Sequence, residues 1–262
     1  MEILRSPREI AEMRKAGLLV WQAHKLAASV IRPGVTTAEI DKVIDGFFAE
    51  HKATPLFKGF PGKVPFPAST CISINEEVVH GIPGRRQLMD GDIVSIDTGC
   101  KLNGWCGDAA ATYPVGRIAP DVRRLLDVCK NTLSLAITLL DRCSRWSQVA
   151  AEMEAYVKKH RFSVVEAFVG HGIGREMHED PQVPNFANSQ LRRGAGDFRL
   201  APGLVIAVEP MVNMGTKRVR TKPDHWTQVT TDGRPSVHFE HTVAITEKGP
   251  WVLTSGPDGE TW

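Results

Sequence analysis

Residues 169–180 read Val-Gly-His-Gly-Ile-Gly-Arg-Glu-Met-His-Glu-Asp, so that two histidines and three glycines lie between an apolar run and an acidic pair. Glycine admits backbone conformations closed to other residues and lets a second group approach closely. Such a segment can hold His171 and His178 at a site, although a glycine-rich turn is more often a plain connection. Four carboxylates favour the site, because each lies in or at the end of an apolar stretch where a charge is costly unless it is paired or bound to metal: Asp97, Asp108, Glu209 and Glu240.

The composition is typical of a globular, enzyme-sized chain. Its 262 residues are 42% hydrophobic, enough for one large core or two modest ones. A net charge of +2, from 32 basic and 30 acidic residues, is too balanced to indicate a nucleic-acid-binding protein, and the basic cluster at residues 217–222 is most simply a solvated loop or edge strand. Five cysteines without a disulfide pattern fit a reducing compartment. With neither a secretory signal nor a membrane-spanning run, we expect a cytoplasmic protein.

Capping signals predict where the helices begin. Ser6-Pro7-Arg8-Glu9 combines a capping residue, a proline suited to the first helical position and the glutamate of a capping box, so a helix should run to about residue 30. Thr36 and Glu39 repeat the box for a second helix to about residue 51. Two more helices are expected at about 120–140 and 147–160. With the hairpins they form two helix-helix-hairpin halves, residues 7–113 and 120–246, which should meet over a shared cleft in a single domain of residues 1–262.

A hairpin about Leu102-Asn103-Gly104 is predicted from the strand patterns at residues 93–99 and 105–113. If the turn is Leu102-Asn103, Asp97 lies opposite Asp108, and if it is Asn103-Gly104, the two are diagonal neighbours. In both registers they share a face of the sheet. Like charges about 5 to 8 Å apart across strands are destabilising, so the pair indicates a cation between them.

The remaining segments carry further candidates. Residues 71–75 alternate like a strand, and residues 76–84 read as turn and loop, where His80 is either a catalytic side chain or a plain loop histidine. Strands are also expected at 162–169, 204–212 and 236–246. Residues 182–200 have no dependable periodicity and are predicted to form a loop.

Four carboxylates and one imidazole make a metal site the economical reading of the set Asp97, Asp108, His171, Glu209 and Glu240. Two divalent ions would neutralise the four charges, which otherwise cost several kcal/mol per buried ion. Oxygen-rich ligation with one nitrogen favours Mn, Fe(II) or Co, and zinc remains possible. Two such ions about 3.5 to 4 Å apart can share a water and lower its pKa, which is chemistry suited to hydrolysis of an unreactive bond.

These residues, read with their neighbours, resemble methionine aminopeptidase, type I, over residues 6–246. Five motifs in the same order carry the resemblance: Cys71-Ile72-Ser73-Ile74-Asn75-Glu76-Glu77-Val78-Val79-His80-Gly81-Ile82-Pro83, the pair Ile96-Asp97 and Gly107-Asp108, Gly170-His171-Gly172-Ile173-Gly174, Val208-Glu209-Pro210-Met211, and Phe239-Glu240-His241-Thr242.

The resemblance implies an α/β (α+β) pita-bread fold, with two pseudo-symmetric halves around a central antiparallel sheet. It implies metal-dependent removal of the N-terminal methionine from nascent chains, near the ribosome, when the second residue is small. Asp97, Asp108, His171, Glu209 and Glu240 would hold two metal ions, and Glu209 would also transfer the proton. His80 and His178 would contact substrate and transition state. The resemblance places four further residues around the methionine side chain: Phe60, Cys71, Met177 and Trp226.

Some positions depart from the family pattern. Met177 stands where an aromatic residue is frequent, Phe57 and Phe60 lie near positions often held by tyrosine, and His238 precedes Phe239-Glu240. These departures concern the shape of the pocket and leave the ligand set intact. We expect a bacterial-type minimal enzyme, acting as a monomer.

Two other classes share the fold. Prolidase and aminopeptidase P use the same ligand types, but they resemble longer chains with a separate N-terminal domain. Non-catalytic binding relatives typically lose metal ligands, whereas all five ligand positions are filled here. The sequence therefore favours an aminopeptidase over both alternatives.

Overall fold

The computed structural model describes residues 3–187, 191, 193, 194 and 196–262, and four helices have both ends within these ranges. They are α1 Pro7–Val30, α2 Thr37–Glu50, α3 Pro120–Leu139 and α4 Trp146–Lys159. The capping boxes of Ser6 with Glu9 and of Thr36 with Glu39 both form. The predicted helix bounds are therefore confirmed to within one residue.

The strands of the described chain are short apart from one hairpin. In chain order they are β1 Thr54–Pro55, β2 Cys71–Ile74, β3 Glu77–Val79, β4 Ile93–Leu102, β5 Trp105–Pro114, β6 Ser163–Val164, β7 Gly170–Gly172, β8 Glu179–Val183, β9 Val205–Val208, β10 Met211–Asn213, β11 Val219–Thr221, β12 Gln228–Thr230, β13 Ser236–His238, β14 His241–Thr246 and β15 Gly249–Val252.

The hairpin of β4 and β5 adopts the second of the two predicted registers. Leu102 pairs with Trp105, so the turn is Asn103-Gly104, with φ of 52° and 78°. Positive φ at both central residues defines the tight turn that suits the twist of a hairpin. Gly99 then pairs with Asp108, which places Asp97 on the diagonal from Asp108.

β9 and β10 pair with β14 and β13 in one continuous register, and both sides of this pairing are interrupted at a glutamate. Val208 pairs with His241 and Met211 with His238, and the constant register puts Glu209 opposite Glu240. The prediction of unbroken strands at 204–212 and 236–246 was wrong at this point. Pro210 has no N–H to donate to a ladder, and only its carbonyl is used, by Phe239 N at 3.3 Å.

Two threonine hydroxyls join the halves of the molecule. The hydroxyl of Thr242 donates to Asp108 O at 2.7 Å and accepts from Asp108 N at 3.1 Å. Thr112 makes the same pair of bonds with the backbone of His238, both at 2.9 Å. Between them Glu240 N donates to Ala110 O at 2.8 Å. These bonds fix β5 of the first half against β13 and β14 of the second.

Three further expectations need correction. Residues 162–169 form a strand only at β6, because β6 pairs with β10 over two residues and Glu166 and Ala167 are exposed. Residues 76–84 contain β3, which pairs with β12. Gln182 and Val183 belong to β8, paired with β7, and of the loop predicted at 182–200, residues 188–190, 192 and 195 lie outside the described residues.

Each helix pair covers one half of the sheet system. The apolar sides of α1 and α2 pack on β2, β4 and β5, and those of α3 and α4 pack on strands of the second half, which gives two main cores. The basic cluster at 217–222 contains the edge strand β11, with Lys217 2.6 Å from Glu166 and Lys222 2.5 Å from Glu77. Helix-helix-hairpin thus occurs twice around antiparallel strands, as predicted, and no helix within the described residues is long and apolar enough to cross a membrane.

Candidate metal centre and substrate cleft

One cavity of about 670 Å³ lies where the halves meet. Every site residue predicted from the sequence lines it, although these residues come from distant stretches of the chain. Asp97, Asp108 and His171 lie within β4, β5 and β7. Glu209 lies between β9 and β10, and Glu240 lies between β13 and β14. The predicted set is His80, Asp97, Asp108, His171, His178, Glu209, Glu240, Phe60, Cys71, Met177 and Trp226.

Three carboxylate oxygens in this cavity lack hydrogen-bond partners. Asp97 Oδ1, Asp108 Oδ1 and Glu240 Oε1 are buried and accept no hydrogen bond from the described part of the chain. Ligand atoms of Asp108, His171 and Glu240 all lie within 4.8 Å of one another, and Glu209 Oε1 is 3.5 Å from His171 Nε2. Buried anionic oxygens without donors fit a site for divalent cations, since such groups are otherwise hydrogen-bonded or paired.

Burial and mutual repulsion act on these acids in the same direction. Burial is the main cause that raises the pKa of Asp97, Glu209 and Glu240 well above the ordinary range, and the neighbouring carboxylates add to it. Burial raises the pKa of Asp108 to about 7, against a lowering by the Ala109 N–H. Without compensating positive charge, the four acids therefore cannot all be ionised at neutral pH without cost.

His171 is oriented by its own backbone. Its Nδ1 donates to Gly172 O at 2.9 Å, which leaves the lone pair of Nε2 free to bind a metal ion. A Cβ on Gly170 would come within 2.3 Å of Ala207 O, and one on Gly172 within 2.1 Å of Asp180 O. Glycine is needed on both sides of His171 because β7 pairs with β8 on one side and with β9 on the other, which leaves no room for a side chain at these two positions. Burial, with a contribution from His178, lowers the pKa of His171 to about 4, so the ring is neutral.

His178 and His80 both line the cavity. The His178 ring is perpendicular to those of His171 and Phe60, with centroids 4.4 and 5.4 Å away. The His80 ring packs edge-on against Phe168 at 5.3 Å, and its backbone has a positive φ of 59°. Burial lowers the pKa of both histidines, that of His80 to about 4. Both rings are available as neutral hydrogen-bonding groups toward a molecule in the cavity.

The predicted pocket residues form one apolar cluster beside the carboxylates. Phe57, Phe66, Cys71 and Met177 are buried in it, with Phe60 and Trp226 packed against them. The Trp226 indole donates to Val64 O at 2.8 Å, which fixes its ring. Cys71 pairs with Asp97 across β2 and β4, so the apolar cluster begins next to the acidic one. A side chain held here would meet aromatic edges and sulfur atoms but no charge.

His238 was not predicted as a site residue, yet it lines the same cavity. It is two residues before Glu240 in an extended segment, and residues i and i+2 share a face. That spacing was the signal that could have identified it. Burial lowers the pKa of His238 to about 3, and its Nε2 has no hydrogen-bond partner within the described residues.

This fold, with a cluster of unpaired acids at the junction of its halves, defines a class of metal-dependent hydrolase. Residues 11–247 match the metallopeptidase family M24, and the chain belongs to that family. A divalent metal requirement follows from this membership.

Within the family, the similar proteins are methionine aminopeptidases. Methionine aminopeptidase 1 of Bacillus subtilis is 46% identical over 97% of this chain and 99% of its own length. The crystal structure of methionine aminopeptidase from Thermotoga maritima superposes with a TM-score of 0.90 at 40% identity, over 97% of this chain and 99% of that one. The predicted resemblance to methionine aminopeptidase is confirmed.

The fold is also shared more distantly. Prolidase from Pyrococcus furiosus superposes with a TM-score of 0.74 at 20% identity, and the match covers 97% of this chain but 66% of that one. At this identity the likeness concerns the fold alone.

Proposed function

We propose that this protein is a dinuclear metal aminopeptidase that removes the N-terminal methionine of nascent polypeptides when the second residue is small. The observation that carries the proposal is the junction of two unlike surfaces in one cavity. Unpaired buried carboxylates with His171 lie next to a charge-free pocket of aromatic rings and sulfur atoms. We further propose that residues 1–262 act as one domain and as a monomer, in the cytoplasm near the ribosome, where such substrates emerge.

Two divalent ions would be held by Asp97, Asp108, His171, Glu209 and Glu240. The four carboxylates supply four negative charges. Two divalent ions neutralise all four charges, whereas a single ion would leave two of them uncompensated. When bound, the ions would supply a hydroxide nucleophile at neutral pH and stabilise negative charge on the scissile carbonyl. Co, Mn, Fe(II) and Zn all suit this donor set.

The remaining steps belong to side chains of this protein. Glu209, whose pKa is raised by burial, is suited to receive a proton and pass it to the leaving amine. His178 and His80 are neutral donors that line the cavity and would orient the substrate carbonyl and amide. The apolar cluster would receive the methionine side chain and exclude water from it.

The test uses four peptides with the metal-free protein reloaded with Mn, Co, Fe(II) or Zn. Met-Ala-Ser should be cleaved, whereas its N-acetylated form, which lacks the free amine, should not. Met-Leu-Ser should be a poor substrate, and Ala-Pro peptides reveal a prolidase or aminopeptidase P activity if they are preferred. Equal cleavage of acetylated and free peptides, or no cleavage with any metal, contradicts the proposal. Elemental analysis of protein purified without added metal identifies the resident ions.

Selection of methionine should depend on shape and soft contacts. Contacts between sulfur and aromatic rings are worth about 0.3 to 1.5 kcal/mol, so a norleucine peptide should be cleaved about 2- to 12-fold more slowly in kcat/KM. A peptide that begins with leucine, whose side chain is branched, should have a lower kcat/KM than the norleucine peptide. Because Met177 is buried against the pocket aromatics, Met177→Ala should widen the pocket and narrow the difference between methionine and leucine.

Exposed Met89 provides the matched control. Met89→Ala also removes a methionine but should leave the methionine-to-leucine ratio as it is. If the methionine-to-leucine ratio of kcat/KM is unchanged in Met177→Ala, Met177 does not line the pocket that receives the methionine side chain. A norleucine deficit far above that range would mean that specificity rests on something other than shape and sulfur contacts.

A further inference from the structure

His238 lies on the same strand face as the two glutamates. It is the cross-strand partner of Met211, and the constant register places Glu209 opposite Glu240. Residues 209 and 211 share a face, as do 238 and 240, so the four side chains form a two-by-two patch that lines the cavity. In this patch His238 and Glu209 are diagonal neighbours, the same relation that Asp97 has to Asp108.

The backbone of His238 is fixed independently of the cavity. Its N–H and C=O both bond to the Thr112 hydroxyl at 2.9 Å. The imidazole therefore projects from a rigid point, and the exposed fraction of the residue is only 2%. A buried ring nitrogen without a partner is uncommon, because its desolvation is not offset by a hydrogen bond.

The nearest acid offers its second oxygen to this nitrogen. Glu209 Oε1 lies 3.5 Å from His171 Nε2, and Glu209 Oε2 lies 3.8 Å from His238 Nε2. The two imidazoles thus approach different oxygens of one carboxylate. The acid within 4 Å of His238 Nε2 is Glu209, itself one of the proposed metal ligands. This placement favours a contact from His238 to the ligand.

We propose that His238 is a positioning residue that, in the metal-loaded protein, closes the 3.8 Å separation between its Nε2 and Glu209 Oε2, donates to that oxygen and so keeps Oε1 turned toward the His171 side of the metal centre. A glutamate side chain has three rotatable bonds, and fixing one oxygen removes alternative orientations of the other. The inference rests on the proposed role of Glu209 as metal ligand and proton-transferring group. Partners of this kind typically contribute about 10- to 100-fold in metal affinity or activity.

Three substitutions separate positioning from other roles. In His238→Gln the amide nitrogen is the same number of bonds from Cβ as imidazole Nε2, so a donor reaches the same place. His238→Asn places its nitrogen one bond shorter, and His238→Leu removes the donor while preserving bulk. We expect His238→Gln to remain close to wild type. His238→Leu and His238→Asn should lose about 10- to 100-fold in Mn affinity or kcat, with little change in KM.

The measurements are calorimetric Mn titration of the metal-free proteins, kcat and KM on Met-Ala-Ser, and thermal unfolding without metal. His24 is another buried histidine, bonded to Ala109 O and the Tyr113 hydroxyl outside the cavity. His24→Leu therefore controls for the loss of a buried imidazole and should lower the unfolding temperature without weakening Mn binding.

Two results would overturn the proposal. Equal loss of Mn affinity in His238→Gln and His238→Leu would make His238 a metal ligand. Unchanged Mn affinity and kcat in both His238→Leu and His238→Asn, with only a change in unfolding temperature, would make it structural. The Mn titration is informative even if the wild-type protein cleaves no methionine peptide, so failure of the proposed function and failure of this inference are distinguishable.

Discussion

Asp108→Asn is expected to lower kcat/KM on a methionine peptide by about 10²- to 10⁴-fold, the factor that corresponds to the 3 to 5 kcal/mol lost when one member of a buried charge set is removed. The backbone of Asp108 is held by the Thr242 hydroxyl through both its N–H and C=O. The substitution therefore changes the chemistry of the side chain and leaves its place unchanged. Elemental analysis should find fewer than two ions per chain.

The same variant should be more stable than wild type when both are metal-free at pH 8. A carboxyl whose folded-state pKa is raised stabilises the fold below its unfolded pKa, and this contribution is lost as the pH rises through the folded value. For Asp108 that value is about 7, so at pH 8 the ionised group is destabilising and asparagine is not. The unfolding temperature of metal-free Asp108→Asn should therefore be higher than that of metal-free wild type. Addition of Mn should raise it by less than it raises that of wild type.

Asp141→Asn is the matched control, because Asp141 is exposed beyond the end of α3. It makes the same change of charge and should match wild type in rate, metal content and unfolding temperature. Near-normal rate and full metal content in Asp108→Asn would contradict the two-metal assignment.

His178→Ala is expected to lower kcat about 10²- to 10³-fold, the usual effect of losing one preorganised donor to a developing oxyanion. Its metal content should be unchanged, because the proposed ligand set does not include His178, whose ring meets the ring of the ligand His171 edge-on. Single-turnover rates and elemental analysis of the same preparation test both halves of this expectation.

Exposed His51, just after α2, serves as the control for His178. His51→Ala should leave kcat and metal content at wild-type values. Loss of an ion from His178→Ala would instead move His178 into the ligand set, and a change confined to KM would limit it to substrate binding.

The helices and the acidic hairpin were predictable because their determinants are local. Capping boxes at Ser6 and Thr36 mark helix starts, and any two-residue turn near Asn103 leaves Asp97 and Asp108 on one face. The sequence could not choose between the two registers, since both Leu102-Asn103 and Asn103-Gly104 are plausible turns. The positive φ of Asn103 and Gly104 in the structure decides between them.

The strand breaks at the glutamates and the place of His238 depend on distant parts of the chain. An apolar run such as residues 204–212 reads as one strand, and the break at Glu209 depends on pairing with residues more than twenty positions away. His238 becomes a site residue only once Glu209 is known to lie on its diagonal. The apolar pocket also depends on distant parts of the chain, because its residues come together only after the chain has folded. They are Phe60, Cys71, Met177 and Trp226.

The threonine bonds between Asp108 and Thr242 have a consequence for biosynthesis. Asp97 and Asp108 leave the ribosome long before Glu240, because more than a hundred residues separate the two groups. At roughly 5 to 20 residues per second this interval is on the order of 10 s. His171 and Glu209 follow during this interval, but until it ends the first half has neither Glu240 to complete the metal centre nor Thr242 to hold β5. The proposed metal centre, and any activity that depends on it, can therefore be completed only after Glu240 and Thr242 have been synthesised.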